Sequence, residues 1–469
     1  MDVLGISAFD RPSAACLIRD GRVLAAVRED VLSGRRGDRS FPSNAVVYCL
    51  RAGKIGAAAL DVVSVAGSLD RRAPEAYRGA ARPVSSFSAR VSRWLGRQPT
   101  LREALRGELE ADVAADEVET SLAEATSAYH ASPFLEAAIL VIEDGGVAAF
   151  HGRDGALQSL GATSSDAAAA AAQLRTETGA AALALGGAGA LDRASNSRLR
   201  QAGFASVWVA PAPGSGAAAL GAALAAWRRR SGTRGIAATS GDARIGTALG
   251  PSYNAAQIRT FLRSQGLSLD ELERDAAPRA AAALVAEGRR TGWLDGRLDL
   301  GEETAGSRAI LRAPSPGAPP NSAAGETLAV AAERAAEIFD VDLPCSPLLE
   351  LAVRAPWRAK LADGARPDRP LPVTPIPAEH RGLRALLAAF EASTGIPAVV
   401  AASLRAPNGA VACSPADAWP TRAEASLDAL VLGPYVVSER PLTAGVAAQE
   451  IGSELRPAPP VPPAAPRSP

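Results

Sequence analysis

A strand, a short acidic turn and a second strand occur together at two places in this chain, and that recurrence limits what it can fold into. Near the N-terminus Val3–Phe9 and Ala14–Ile18 read as strands, and Arg19-Asp20-Gly21 turns the chain into Arg22–Val27. The same grammar returns at Ala137–Ile142, where Glu143-Asp144-Gly145-Gly146 leads into Val147–His151 and an Asp154-Gly155 turn follows. Between the copies, Ser43–Leu50 and Leu101–Tyr129 carry apolar residues at helix spacing, whereas the Pro- and Arg-rich Ala73–Gln98 reads as loop. Two such units separated by helices point to an internally duplicated α/β domain.

Further along, a strand at Ala181–Leu185 runs into Gly186-Gly187-Ala188-Gly189 and a helix near Arg193–Gly203. Ser206–Ala210 reads as a strand, Pro211–Gly216 as a turn and Ala217–Arg229 as a helix. The chain changes character over Ser231–Tyr253. A helix opening at Pro278, which suits a first helical position, then leads to a strand at Thr291–Leu294. Pro314–Pro320 breaks the pattern, Leu383–Ser393 is helical, and Ala398–Ala402 and Leu427–Val437 are strands. These readings divide the chain into an α/β domain over residues 1–275, a second over 276–445, and a Pro-rich tail over 446–469 without periodicity, expected to be disordered.

Composition excludes several classes. Fifty basic residues balance fifty acidic ones, which argues against a nucleic-acid partner held by charge. No stretch is apolar enough to span a bilayer, so no membrane partner is expected, and the N-terminus lacks a basic leader region. A cytoplasmic, soluble protein is the expectation. Only Lys54 and Lys360 are lysines and Met1 is the sole methionine, a bias typical of high-GC bacteria, so no single arginine counts as a phosphate ligand by type. Cys16, Cys49, Cys345 and Cys413 are too dispersed for a zinc knuckle or a disulfide framework. Imidazole is scarce, with only His130, His151 and His380.

Nine segments in order resemble the O-carbamoyltransferase family, which includes nodulation and antibiotic-tailoring enzymes. They are Gly5–Phe9, Phe41–Ala45 with Tyr48–Leu50, Ser127–Tyr129 with Ser132–Phe134, Leu185–Leu199, Leu249–Tyr253, Gly292–Leu311, Thr394–Pro397, Cys413–Ala418 and Leu427–Gly433. The resemblance implies an N-terminal domain with the duplicated actin/hexokinase/Hsp70-like ATPase fold and a C-terminal α/β domain like threonylcarbamoyl-AMP synthase. It also implies the family's chemistry. The C-terminal domain makes carbamoyl-adenylate from carbamoyl phosphate and ATP, and the N-terminal domain, holding adenylate and Fe(II), passes the carbamoyl group to a hydroxyl of a small-molecule acceptor.

The departures from that family fall on its chemistry. Its His-x-x-x-His metal pair corresponds to Thr120 and Glu124, its strand-end aspartate to Glu143 (or Asp144), a later aspartate to Ser215, and its acceptor-site His-Asp to Arg11-Pro12. Glu29-Asp30 keeps part of a Glu-Glu-Arg element. Gly186, Gly187 and Asn196 match nucleotide positions, while Asp192 replaces an asparagine. The phosphate loop has become Gly301–Ala309, with Glu302 and Glu303 reversing its charge and Arg308 retained. Ala318–Glu326 lacks basic residues, and of the adenylate-holding amide and hydroxyl element only Ser403 remains, with Arg405 two positions on. A stretch shaping the acceptor pocket shrinks to the helix Asp166–Thr178.

Loss in both half-reactions makes the leading expectation a catalytically degenerate homologue. It would take neither ATP nor Fe(II), and Glu124 and Glu143 would be vestiges of a metal site. It would work as partner or scaffold of an intact carbamoyltransferase paralogue, or as a self-dimer, in a natural-product pathway. The alternative is an active, ATP- and Fe(II)-dependent O-carbamoyltransferase in which Arg308, Arg405 or Arg297 replaces lost phosphate ligands. A third reading, other chemistry on the same scaffold, lacks a nucleophile partner for any histidine.

Overall fold

Two five-stranded sheets with the same strand order, and a third sheet of eight strands, organise the chain. The structure, a computed structural model, describes residues 1–9, 11–74, 98–162, 165–210, 212–232, 245–267, 269, 271–273, 276–303, 306–315, 318–361 and 368–438. Most of the loop expected over 73–98, part of the 231–253 segment and all of the 446–469 tail lie outside the described residues.

In the first sheet, β1 (Asp2–Ser7), β2 (Ala14–Arg19) and β3 (Arg22–Arg28) form an antiparallel meander. β4 (Val62–Ala66) joins parallel to β1, and β5 (Ala115–Val118) parallel to β4. The second sheet repeats this. β6 (Glu136–Glu143), β7 (Gly146–Arg153) and β8 (Ala156–Ala162) form the meander, and β9 (Ala182–Gly186) and β10 (Ser206–Val209) extend it in parallel from β6. The expected duplication is thus present as strand order.

Its equivalences differ from the expected ones. Asp20 and Gly21 have φ of 49° and 79°, and Asp154 and Gly155 have 49° and 76°. Both pairs have the left-handed φ values of a two-residue type I′ hairpin and link the second strand of a sheet to the third. The Glu143–Gly146 turn therefore corresponds to the loop after β1, which carries Arg11. That places Arg11 and Glu143 at matching positions in the two halves.

Each fifth strand is followed by a helix, Thr120–Ala131 after β5 and Ser215–Ser231 after β10. The two helices cross where a Cβ on Gly221 would lie 1.7 Å from the Ala123 carbonyl oxygen. A Cβ on Gly5 of β1 would lie 2.0 Å from the Ala219 oxygen. Glycine at these two points lets backbone meet backbone, and so sets the distance between the halves. The segment Leu101–Tyr129 is not one helical run. A helix at Leu101–Leu109, closed at its start by a Thr100–Glu103 capping box, precedes β5, whose Ala-Asp-Glu-Val sequence has the polarity of an edge strand.

The third sheet runs β14-β15-β13-β16-β12-β11-β17-β18. Its strands are β11 (Thr291–Leu294), β12 (Arg308–Arg312), β13 (Thr327–Ala331), β14 (Leu349–Leu351), β15 (Leu371–Ile376), β16 (Ala398–Ser403), β17 (Ala429–Leu432) and β18 (Tyr435–Ser438). The expected strand Leu427–Val437 is thus a hairpin, turned at Gly433 with φ 52°. Pro278 is the third residue of the helix Ala276–Ala286, still in the turn where a missing N–H costs nothing. The helix Ala255–Ser264 packs Ile258 and Leu262 against Leu430, Leu432 and Tyr435. One apolar cluster runs from Ala138 and Leu183 to Leu328 and Val373, joining the second sheet to the third. Among the described residues no helix is long and apolar enough to cross a membrane.

Candidate functional site

The ends of β1, β6 and β9 and the starts of the helices Thr120–Ala131 and Ser215–Ser231 meet in a cleft between the two halves. Ligands of open α/β sheets bind beyond the carboxyl ends of parallel strands, so this cleft is the candidate site. An ion cluster fills its floor. Arg11 Nη1 and Nη2 donate to Glu143 Oε1 and Oε2 at 2.9 and 3.1 Å, and Nη1 also reaches Glu124 Oε1 at 3.3 Å. The other oxygen of Glu124 accepts from the backbone N–H of Gly187 at 3.2 Å and of Gly214 at 3.4 Å. Glu124 is fully buried, while Arg11 and Glu143 keep 17% and 26% of their side-chain surface exposed. Burial pushes the Glu124 carboxyl up to about 8, against the opposing pull of Arg11 and the two amides.

This arrangement does not fit a metal ion. A guanidinium stands between Glu124 and Glu143, where the resemblance would put the iron, and it already satisfies both carboxylates. Thr120, one helical turn before Glu124, adds only a hydroxyl, and Pro12 has no donor. Among the described residues no group of three His, Cys, Asp or Glu could hold a metal. A phosphate fits no better. Gly187 (φ 82°) lets the chain pass Ile142, whose carbonyl oxygen a Cβ would approach to 2.3 Å. Its N–H, with that of Gly214, faces the Glu124 carboxylate. Gly186 packs against the Glu124 and Ala128 turn of the neighbouring helix. Ser215 begins the helix after Gly214.

Above the cluster lies a cavity of about 550 Å³ lined by Arg11, Arg71, Glu117, Glu119, Thr120 and Glu143 among others. Its wall carries three carboxylates against two guanidiniums and no apolar side chain, unlike the largely apolar pockets that hold small organic ligands.

The remaining sequence candidates are engaged in structure. Asn196 is buried, and its Nδ2 donates to Ala190 O and, across to the third sheet, Leu348 O. Asp192 caps the helix Arg193–Leu199 through the Ser195 N–H. Arg193 on that helix donates to Glu303 and to Val373 O, so Glu303 joins the two parts of the chain. Arg308 is fully buried and donates to the carbonyls of Asp295, Gly296, Pro251, Ser307 and Cys413. Arg297 is likewise held by Leu24, Leu249 and Gly250 carbonyls. Ser403 ends β16, half-buried opposite Ala309. Glu29 caps the helix Ser43–Gly53, accepting from the Asn44 side chain at 2.6 Å and from Ala45 N–H at 2.8 Å; burial nonetheless pushes its carboxyl up to about 7.

Each histidine has a charged neighbour. His130 meets Arg228, and His151 pairs with Glu136 at 3.1 Å. His380 Nε2 lies 3.0 Å from Asp299 Oδ1, whose carboxylate also accepts from Ser307 and Thr247, each at 2.7 Å. Here the carboxylate stands between the hydroxyl and the imidazole. Ser307 donates to Asp299, so this is no nucleophile–base pair. Sequence reasoning did not find this buried cluster, whose members are contributed by four separate segments.

No protein-family model matches the chain. A protein of Synechocystis sp. described only as uncharacterized is 23% identical, over 93% of this chain and 96% of its own length. That alignment runs to 599 positions, more than this chain contains, so the relative carries segments that are missing here. Among solved structures, a ROK hexokinase from Thermus thermophilus aligns with 50% of this chain and all of its own, at 16% identity and a TM-score of 0.32. YeaZ from Pseudomonas aeruginosa aligns with 34% of this chain and 64% of its own, at 17% identity and a TM-score of 0.21. At such scores the fold rests on the strand order itself.

Proposed function

We propose that this protein is a catalytically degenerate member of the O-carbamoyltransferase family, with the ATPase-type fold in its first domain, acting as partner or scaffold of an intact carbamoyltransferase. The observation that carries this reading is the Arg11–Glu124–Glu143 cluster, in which the chain's own guanidinium and carboxyl groups fill the space that the resemblance would give to metal and phosphate. A buried ion pair adds little net stability over an apolar replacement, whereas removal of one partner strands the other, so the cluster fixes how these three side chains sit. Asn196 and Glu303 support the reading, because at positions the resemblance gives to nucleotide and phosphate they tie the two parts of the chain together, while Arg308 is taken up by backbone carbonyls. Purified protein given ATP, carbamoyl phosphate, Mg²⁺ and anaerobic Fe²⁺ is expected to release no pyrophosphate above a heat-denatured control. Release that depends on carbamoyl phosphate would overturn the reading. Co-purification with an intact paralogue is the expected positive result, and a monomer that ignores the paralogue would count against a scaffold.

The second reading, an active O-carbamoyltransferase on a small-molecule hydroxyl, is supported by one feature only. Of Arg308, Arg405 and Arg297, any of which it could use, Arg405 is held by the fewest of the described carbonyl oxygens, donating to Gly409 O at 3.2 Å and Glu302 O at 3.5 Å. The same pyrophosphate assay decides between the two.

A further inference from the structure

Away from the cleft, three arginines from both ends of the chain come together where the turn after β3 touches the second domain. Arg28, the last residue of β3, is buried, with 6% of its side chain exposed. Its Nε and Nη2 donate to Asp30 at 3.0 and 3.3 Å, and Asp30 accepts in addition from the Gly37 N–H. The third nitrogen, Nη1, is buried and makes no hydrogen bond among the described residues. Glu302 Oε1 lies 3.9 Å from it, an attraction across a gap too long for a hydrogen bond. Arg405 Nη2 lies against the backbone of the same Glu302, and Arg36 packs on Gly409, whose carbonyl holds Arg405 Nη1. Gly34 and Asn408 close the contact from either side.

Charge does not balance here. Three guanidiniums face two carboxylates, Asp30 is fully engaged by Arg28 and Gly37, and Glu302 is half exposed on a flexible stem. Burial, with the mutual repulsion of Arg36 and Arg28, disfavours the charged form of Arg405, although Glu302 and Asp30 oppose this. Cations crowded in this way, one with a buried donor left over, suit a tetrahedral oxyanion, because guanidinium forks match phosphate oxygens at hydrogen-bond distance.

We propose that Arg28, Arg36 and Arg405 form a binding site for a phosphate group of a small molecule, with Glu302 as the internal anion that such a ligand displaces. The site does not involve the Arg11 cluster; it shares Arg405 with the active-enzyme reading, and the pyrophosphate-release assay tests that reading separately from binding here. The probes are inorganic phosphate and pyrophosphate, titrated calorimetrically into the full chain in low-salt buffer. Wild type is expected to bind pyrophosphate at one site, weakening as salt rises. Glu302→Gln removes the competing carboxylate and is expected to tighten binding about tenfold. Arg36→Ala, at an exposed position that leaves folding intact, and Arg405→Gln are each expected to weaken it about tenfold or more. Absence of binding by both wild type and Glu302→Gln at millimolar pyrophosphate overturns the proposal. So does binding that Arg36→Ala and Arg405→Gln leave unchanged while circular dichroism shows both variants folded.

Discussion

Replacing Arg11 by alanine asks whether the cleft is held together by its own ions. In the wild type the Glu124 carboxyl lies about 8, raised chiefly by burial from an ordinary value of 4.5. A carboxyl whose folded value is raised stabilises the fold only while it keeps its proton. That contribution is complete below about 4.5 and fades as pH rises through about 8. Near pH 6.5 Glu124 is therefore mostly neutral, and Arg11→Ala removes chiefly the two-pronged contact to the quarter-exposed Glu143. The expected loss there is about 1–2 kcal/mol. Near pH 9 wild-type Glu124 is ionised, and the variant must either bury that charge alone or hold a proton against the solution. Breaking one side of a buried pair costs about 3–5 kcal/mol, and each unit of further pKa rise adds about 1.4 kcal/mol. Urea unfolding followed by circular dichroism at the two pH values measures the difference. The double variant Arg11→Ala/Glu124→Gln carries no buried carboxyl at this point and is expected to regain most of the loss at the higher pH. Equal stability of wild type and Arg11→Ala at both pH values, or a double variant as unstable as the single one, refutes the reasoning.

Three further outcomes follow from the packing. Buried His380 has its pKa raised: burial works to lower it, but Asp299 outweighs burial. Asp299 is lowered: burial works to raise it, but His380, Ser307 and Thr247 together prevail. Their pairing is therefore complete between about 3.8 and 6.5, fading below as Asp299 protonates and above as His380 loses its proton. The stability gap between wild type and His380→Gln should be widest near pH 5 and shrink by pH 9, and a pH-independent gap would contradict the pairing. Gly221→Val would drive a side chain into the Ala123 backbone, and is expected to cost about 3 kcal/mol or more in thermal or urea unfolding. Asn196→Ala removes both hydrogen bonds that tie Ala190 to Leu348, with an expected loss of about 1–3 kcal/mol and earlier proteolysis between the two parts of the chain.

The duplication was legible because its marks are local. Asp-Gly at 20–21 and at 154–155 suits a left-handed two-residue turn wherever it occurs, and the apolar strands beside it need no partner to be recognised. The same holds for helices with strong periodicity, such as Arg381–Thr394, and for the strand Thr291–Leu294, whose bounds the structure reproduces. β5 was not legible. It lies at a sheet edge, where three of its four residues keep contact with solvent and the apolar alternation that marks a strand is absent.

The residues at the cleft were likewise visible one at a time: Arg11, Thr120, Glu124 and Glu143 stand in the sequence for anyone to read. Their meeting was not. Arg11 and Glu143 lie 132 residues apart and come into contact because matching loops of two similar sheets face each other across one cleft. Glu124 joins them because Gly221 and Gly5 let the helices and the first sheet approach until backbone touches backbone. Local chemistry, then, sets turns, caps and strands, since each depends on neighbours a few residues away. Whether a glutamate is a solvated charge, a metal ligand or the counter-ion of a buried arginine depends on what the folded chain brings within about 3 Å of it.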